Sequence, residues 1–298
     1  MLDTRFCPEA KINAKINYKF IIKKIEVIRQ LLYNKSVIYL TRLFLIVFFP
    51  HTDAGAVANA PASFCGKIIF IYHYLRRIRM NIAIDGPAGS GKSTVAKLLA
   101  KELSFIYLDT GAIYRTMALY CVRNNIDPKN EEEVSKAVPS IDVKVDYVNL
   151  EQHMLLNGKD VTGQIRTPEV SNATSVISAY SSVRDALLSM QRQIAEENDV
   201  IMDGRDIGTT VLPNAQCKIF LTASVGVRAK RRYDELLEKG TKCELSQIEK
   251  EIEERDYRDS HRKIAPLKKA DDAIAVDTSD LSIEEVTRKL KEIAEGKM

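Results

Sequence analysis

The run Gly86-Pro-Ala-Gly-Ser-Gly-Lys-Ser93 limits what this chain can fold into more than any other eight residues in it. It fits G-x-x-x-x-G-K-[ST] without substitution. It also lies between Asn81-Ile-Ala-Ile-Asp85, a short apolar run of strand type, and an amphipathic stretch from Lys92 to Leu103. Glycines at 86, 89 and 91 let the backbone curl until successive N–H groups point inward at phosphate oxygens, beside the positive end of the helix dipole. Lys92 then reaches the outer phosphates as a point charge, and the Ser93 hydroxyl suits a magnesium ion. A glycine turn with a surface lysine, the blander reading, leaves the strand before it and the helix after it unexplained.

Further apolar runs of strand length occur at Phe105–Leu108, Val200–Met202, Lys218–Thr222 and Ala273–Val276. Between them, helical periodicity covers Ala112–Asn124, Val183–Glu197, Val225–Glu238 and Ser282–Ile293. Five short buried strands alternating with helices predict the α/β class, with a parallel sheet covered on both faces. One stretch breaks the alternation. Ile141 to Gly163 starts with period 2 and then carries an Asn157-Gly158 turn signal, which predicts a small antiparallel sheet. Thr167-Pro168 opens a helix through about Tyr180, so residues 139–182 or thereabouts read as an insertion between two core strands. Late in the chain, Arg228–Arg232 and Arg255–Lys263 bracket a charged helical segment.

Charge divides the chain. Residues 1–79 carry a net +9 and the remainder −5, so the overall +4 comes from the first segment, and no nucleic-acid partner is implied for the rest. The most apolar part of that segment, Val37–Phe49, is interrupted by Arg42 and stopped by Pro50. Its thirteen residues fall short of the roughly 20 that span a bilayer. Two readings stand for residues 1–79: upstream sequence read in frame ahead of a start at Met80, and peripheral membrane attachment through a basic, apolar stretch. Five scattered cysteines without a C-x-x-C pair, and four dispersed histidines, point to neither a disulfide framework nor a zinc site. A reducing cytoplasm is the expected compartment.

A phosphate loop alone does not separate a GTPase from a small-molecule kinase. A guanine reader would need Asn-Lys-x-Asp after a buried strand, whereas Asn157-Gly-Lys-Asp160 has its lysine misplaced and lies in the insertion. An acceptor that is itself a phosphate would set two polyanions side by side, to be neutralised by cations that close around the transfer. Arginine forks suit that task. Candidates are Arg115, Arg184, Arg205, Arg255, Arg258 and Arg262. Each alone reads as a solvated helix charge. Asp203-Gly-Arg-Asp206 is different, because it follows a predicted strand on the side where open α/β sheets bind ligands.

Taken with Leu108-Asp-Thr-Gly-Ala-Ile-Tyr-Arg115, Gly163-Gln-Ile-Arg-Thr-Pro-Glu-Val170, Asp203-Gly-Arg-Asp-Ile-Gly-Thr209, Glu254-Arg-Asp-Tyr-Arg-Asp259 and Ala265-Pro-Leu267, the phosphate loop makes the chain from Met80 onward resemble the bacterial cytidylate kinases. The resemblance implies a nucleoside monophosphate kinase fold with a five-stranded parallel core. It adds an enlarged domain for the acceptor nucleotide, containing the insertion, and a short lid at about 228–263. It implies transfer from ATP, with Mg²⁺, to CMP and dCMP by a cytoplasmic monomer with small-molecule partners. The donor run would be Gly86, Pro87, Ala88, Gly89, Ser90, Gly91, Lys92, Ser93 and Thr94, with Ser93 on the metal. Thr110 and Arg115 would lie beside the acceptor, Ser175, Arg184 and Asp206 around its base, and Arg255 and Asp259 near its sugar. Arg205 would help with phosphates, and Arg262 would be a lid or acceptor-site arginine; Lys92, Arg115, Arg205, Arg255 and Arg262 form the implied catalytic set. Two rivals remain at this stage: a kinase for UMP or a small hydroxyl compound, and a membrane-recruited P-loop protein.

Overall fold

Alternate side chains of the first core strand sort the two faces of the sheet. Within Asn81–Asp85 (β1), Ile82 and Ile84 pack on one side and Ala83 on the other. The computed structural model describes residues 79–298 apart from Lys239, all within the unit Arg77–Met298. Val37–Phe49, and with it both readings of residues 1–79, lies outside the described residues.

After β1 and the glycine loop come α1 (Lys92–Leu103), β2 (Ile106–Asp109), α2 (Thr110–Arg123) and α3 (Glu131–Ala137). A small sheet follows, β3 (Val143–Val148), β4 (Glu151–Leu156) and β5 (Lys159–Asp160), then α4 (Pro168–Ile177) and α5 (Ser181–Glu197). The chain re-enters the core through β6 (Val200–Gly204) and β7 (Cys217–Thr222). The helical pair α6 (Val225–Glu238) and α7 (Leu245–His261) precedes β8 (Ile274–Asp277) and α8 (Ile283–Glu295).

The core sheet has the order β2-β6-β1-β7-β8, and every pairing is parallel. Ile82, Ile84, Ile201 and Leu221 pack with Val95 and Leu99 of α1 and Leu290 of α8. Ala83, Leu108 and Met202 face Ile113 and Met117 of α2 and Leu187 of α5. Both faces are therefore dry, as the near-continuous apolar strands require. The inserted sheet is antiparallel, with Val145 opposite Met154, and its buried side joins the second cluster through Met154 and Leu156. The pair α6–α7 has a small core of its own, Ala229, Ile248 and Ile252.

Element ends differ from expectation by a few residues, each for a local reason. Phe105 is not in β2: Ser104 takes φ 58° and the Phe105 N–H bonds back to the Ala100 carbonyl, closing α1. The helix opened by Pro168 stops at Ile177 rather than near Tyr180, because Tyr180 is extended and caps α5, which begins two residues before Val183. β6 continues past Met202 to Gly204, which brings Asp203 into register with Asp109 of β2 and Ile84 of β1. Three carboxylates, Asp85 and Asp109 at the ends of β1 and β2 and Asp203 one residue before the end of β6, thus stand on three adjacent strands at the carboxyl edge of the sheet, where such folds place their ligands. Among the described residues no helix is long and apolar enough to cross a membrane.

Candidate active site

The glycine loop is shaped by a close approach. A side chain at Gly86, where φ is 149°, would put its Cβ 1.9 Å from the Leu221 carbonyl oxygen on β7. The residue that starts the loop must therefore be glycine on steric grounds as well as conformational ones. The loop ends at Gly91, with φ 85°, as an N-cap that lends α1 no side-chain bond, so the first N–H groups of that helix are open to an anion. Within the loop, Lys92 donates to the Pro87 carbonyl at 2.6 Å and to Ser90 Oγ at 3.3 Å. Lys92 is buried, and burial, followed by the charge of Arg205, pulls its ammonium well below the usual lysine range.

Asp203 binds on both oxygens: Ser93 Oγ donates to Oδ2 at 2.7 Å and the Tyr107 hydroxyl to Oδ1 at 2.8 Å. Burial raises its pKa, and the Asp109 carboxylate raises it further, against Ser93 and Lys92. Thr110 Oγ1 donates to the Asp203 carbonyl at 2.8 Å, which fixes the start of α2 to the end of β6. A serine hydroxyl and one carboxylate are hard oxygen donors, and the described residues hold no group of three His, Cys, Asp or Glu able to bind a metal by themselves. That sparse donor set fits Mg²⁺, which keeps waters and takes substrate phosphates as ligands.

Asp85 has a different task. Its two oxygens accept the backbone N–H groups of Ile207 and Gly208, both at 2.7 Å. These open the π-helical turn Ile207–Val211, immediately after Arg205 and Asp206. Burial pushes its carboxyl up to about 6, with the two backbone bonds and Lys92 pulling the other way.

Around the rest of the site, three aspartates each hold two arginines. Asp109 takes Arg115 at 2.7 Å and Arg166 at 3.0 Å. Asp206 takes Arg184, in a short contact, and Arg262 at 2.9 Å. Asp259 takes Arg205 at 2.9 Å and the more distant Arg255 at 3.9 Å. Burial works to raise Asp259, and the Arg205 and Arg255 guanidiniums outweigh it, leaving its pKa below the ordinary value. Burial also brings Arg255 down to about 10, helped by the charge of Arg205. Arg184 lies over the Tyr114 ring, 5.6 Å from its centroid, and donates to the Ser178 carbonyl.

One cleft of about 730 Å³ opens onto all of this. Ala88 through Thr94, Thr110, Arg115, Arg184, Arg205, Asp206, Arg255, Asp259 and Arg262 line it. Gly86 and Pro87, at the start of the loop, are not part of the lining. Ser175 is not on the wall either: its neighbours Thr174 and Ser178 on the same stretch are, while the Ser175 hydroxyl is buried with no hydrogen-bond partner. The sequence motifs contain Asp85, Asp109, Asp203 and Arg166, but sequence reasoning gave these four no individual role. It also missed Arg228, which donates to the Ala88 carbonyl at 3.0 Å and pairs with Asp256 of α7 at 2.7 Å, tying the loop to both helices of the late pair.

A family model described as cytidylate kinase matches residues 82–296. The cytidylate kinase of Lactobacillus johnsonii is 51% identical over 218 residues, covering 73% of this chain and 95% of its own length. That of Bacillus cereus strain B4264 is 48% identical over 218 residues, covering 73% and 97%. Among solved structures, a shikimate kinase from Bacteroides thetaiotaomicron covers 72% of this chain and 98% of its own at 14% identity, but its TM-score of 0.38 is too low to add to the sequence matches. With a family model spanning the core sheet, the insertion and the helical pair, and with relatives near half identity over almost their full length, this chain belongs to the cytidylate kinase family.

Proposed function

We propose that this chain transfers the γ-phosphoryl group of ATP to CMP and dCMP, giving ADP with CDP or dCDP. The observation that carries the reading is that one cleft opens both on a complete phosphate loop and on three aspartate-held arginine pairs. Two polyanions fit such a cleft end to end. The attacking oxygen belongs to a phosphate that is already anionic near neutral pH, so no general base is required, and catalysis rests on alignment and charge neutralisation.

In this reading the loop N–H groups and Lys92 hold the donor phosphates. Ser93 and Asp203 would hold Mg²⁺, which supplies further neutralisation at the donor oxygens. Arg115 and Arg205 meet the acceptor phosphate. Arg255 and Asp259 face its sugar, and Arg184 and Asp206 its base. Ser175 needs a rotation of α4 to join them, since it lies off the cleft wall. Closure of α6–α7 over the cleft excludes water that would otherwise take the phosphoryl group. The reading includes a monomer, supported by the origin of the six aspartate-held arginines in one chain, and a reducing cytoplasm, which suits the free thiols of Cys121, Cys217 and Cys243.

A coupled ADP-release assay across CMP, dCMP, UMP and AMP tests the acceptor. CMP and dCMP are expected to lead. Equal or faster turnover of UMP or AMP would overturn the reading.

A further inference from the structure

The turn that follows β6 is capped from another strand. Asp206 stands at the N-cap of the π-helical turn Ile207–Val211, and its side chain makes no capping bond there. An aspartate in that place ordinarily turns an oxygen on the free N–H groups of the turn it opens. Here the Ile207 and Gly208 N–H groups donate instead to Oδ1 and Oδ2 of Asp85, both at 2.7 Å. The Asp206 carboxylate is thereby released to the cleft, where it holds Arg184 and Arg262.

Asp85 is itself firmly held. It ends β1, the central strand, and its backbone is in register with Gly204 of β6 on one side and Phe220 of β7 on the other. The far end of the contact is tight as well: a Cβ on Gly208 would come within 3.3 Å of Asp85 Oδ2 and 3.2 Å of Lys218 Cδ. Lys218 only passes by, since its ammonium donates to the Pro213 carbonyl and pairs with Asp272. Asp85 is buried and is not part of the cleft wall, so any effect it has on a substrate passes through the residues it holds.

We propose that Asp85 is a positioning residue for the acceptor: by fixing the backbone at Ile207 and Gly208 it sets where Arg205 and Asp206 stand, and so tunes the choice of acceptor without touching it. The proposal rests on the reading above, that Arg205 meets the acceptor phosphate and Asp206 its base. Arg205 and Asp206 bridge two fixed points, Gly204 in the β6 pairing and Ile207 on Asp85. Moving one end of so short a bridge moves both side chains, and small displacements in a reacting site are costly. Because the phosphate loop starts at the next residue, Gly86, the donor and acceptor ends of the cleft are both referred to Asp85.

Steady-state kinetics of the full chain at about pH 8, with CMP and UMP as acceptors, in the parent, Asp85→Asn and Gly208→Ala, tests this, with Asp206→Asn beside them as the reference for base choice. The amide offers one acceptor oxygen where the carboxylate offers two, and turns a donor against the second backbone N–H. Asp85→Asn is expected to raise the KM for CMP by about fivefold or more and to narrow the kcat/KM ratio of CMP over UMP by about fivefold or more, with the KM for ATP within about twofold. Gly208→Ala presses on the same contact from the turn. It should shift these quantities the same way, and it decides the matter if the amide variant does not fold. A ratio within about twofold of the parent's in a folded variant, or a KM for ATP that rises as much as that for CMP, would overturn the proposal. The second result would put the effect of Asp85 on Lys92, whose ammonium feels its charge. If the parent prefers another monophosphate, or Asp206→Asn leaves the ratio unmoved, the reading of the acceptor site has failed instead, and the KM for the preferred monophosphate against that for ATP decides the role of Asp85.

Discussion

The Ser93 hydroxyl donates to the Asp203 carboxylate across 2.7 Å, bringing the second residue of α1 against the end of β6, 110 positions away in sequence. The two oxygens lie where the loop hands over to the helix. Replacing the carboxylate by an amide keeps the shape and removes the charge. Asp203→Asn is expected to fold, to raise the Mg²⁺ concentration for half-maximal rate by more than about tenfold, and to lower turnover by about 10² or more. Rate measured against Mg²⁺ concentration checks it. An unchanged Mg²⁺ midpoint would remove Asp203 from the metal site.

Asp206 holds two arginines whose side chains are each only 8% exposed. Cytosine offers an amino donor where uracil offers a carbonyl, and a carboxylate facing that edge favours the donor. Asp206→Asn should therefore narrow the ratio of kcat/KM for CMP over UMP by about tenfold or more. It should also cost stability, about 3 kcal/mol, because two buried guanidiniums lose their shared anion. Parallel loss on both acceptors, with the ratio unmoved, would leave Asp206 as an arginine holder and nothing else.

The same carboxylates were only partly legible in the sequence. The phosphate loop announces itself because its constraint lies within eight contiguous residues, and the alternation of strands and helices follows from burial on both sheet faces. Asp85 gains its meaning from Ile207 and Gly208, 122 and 123 residues away, and Arg166 from Asp109, 57 residues away. No local pattern marks such pairs. Ser175 shows a different limit: the stretch of chain is recognisable, but a helix turns about 100° per residue, so the direction its hydroxyl takes is decided by packing.

Asp85 is 4% exposed and titrates in the folded chain at about 6, against 3.8 without its surroundings. The folded state holds that proton more tightly than the unfolded one. Stability attributable to Asp85 therefore falls as pH rises from about 4 through about 6, by about 3 kcal/mol once both states are ionised. Asp85→Asn keeps one backbone bond and cannot ionise. Urea unfolding of parent and variant at pH 4.5 and pH 7.5 should show the gap shifting in favour of the variant at the higher pH. A gap independent of pH would place the titration elsewhere.

The core sheet closes at Met80. Its N–H donates to Asp199 Oδ1 at 2.8 Å and its carbonyl accepts from Val200, so the entry to β1 is pinned to the entry to β6. A chain starting at Met80 is expected to fold and to keep the activity of the full chain, with its new terminal ammonium facing the same aspartate. Circular dichroism and turnover of the two chains, side by side, check this; loss of folding would show that residues before Met80 contribute to the core.

Six of the arginines that line the cleft would, if bare, repel one another and bind any passing polyanion. Here three aspartates occupy them in advance, so the resting cleft behaves as an ion exchanger loaded with its own counterions. An arriving phosphate competes with a resident carboxylate for the same guanidinium, and its affinity is the difference between the two. Added salt then weakens the resident pairs as well as the incoming one, which flattens the dependence of binding on ionic strength. The competition also runs in reverse: as product leaves, each arginine has a tethered anion to return to, and the emptied cleft never has to hold six unopposed cations together.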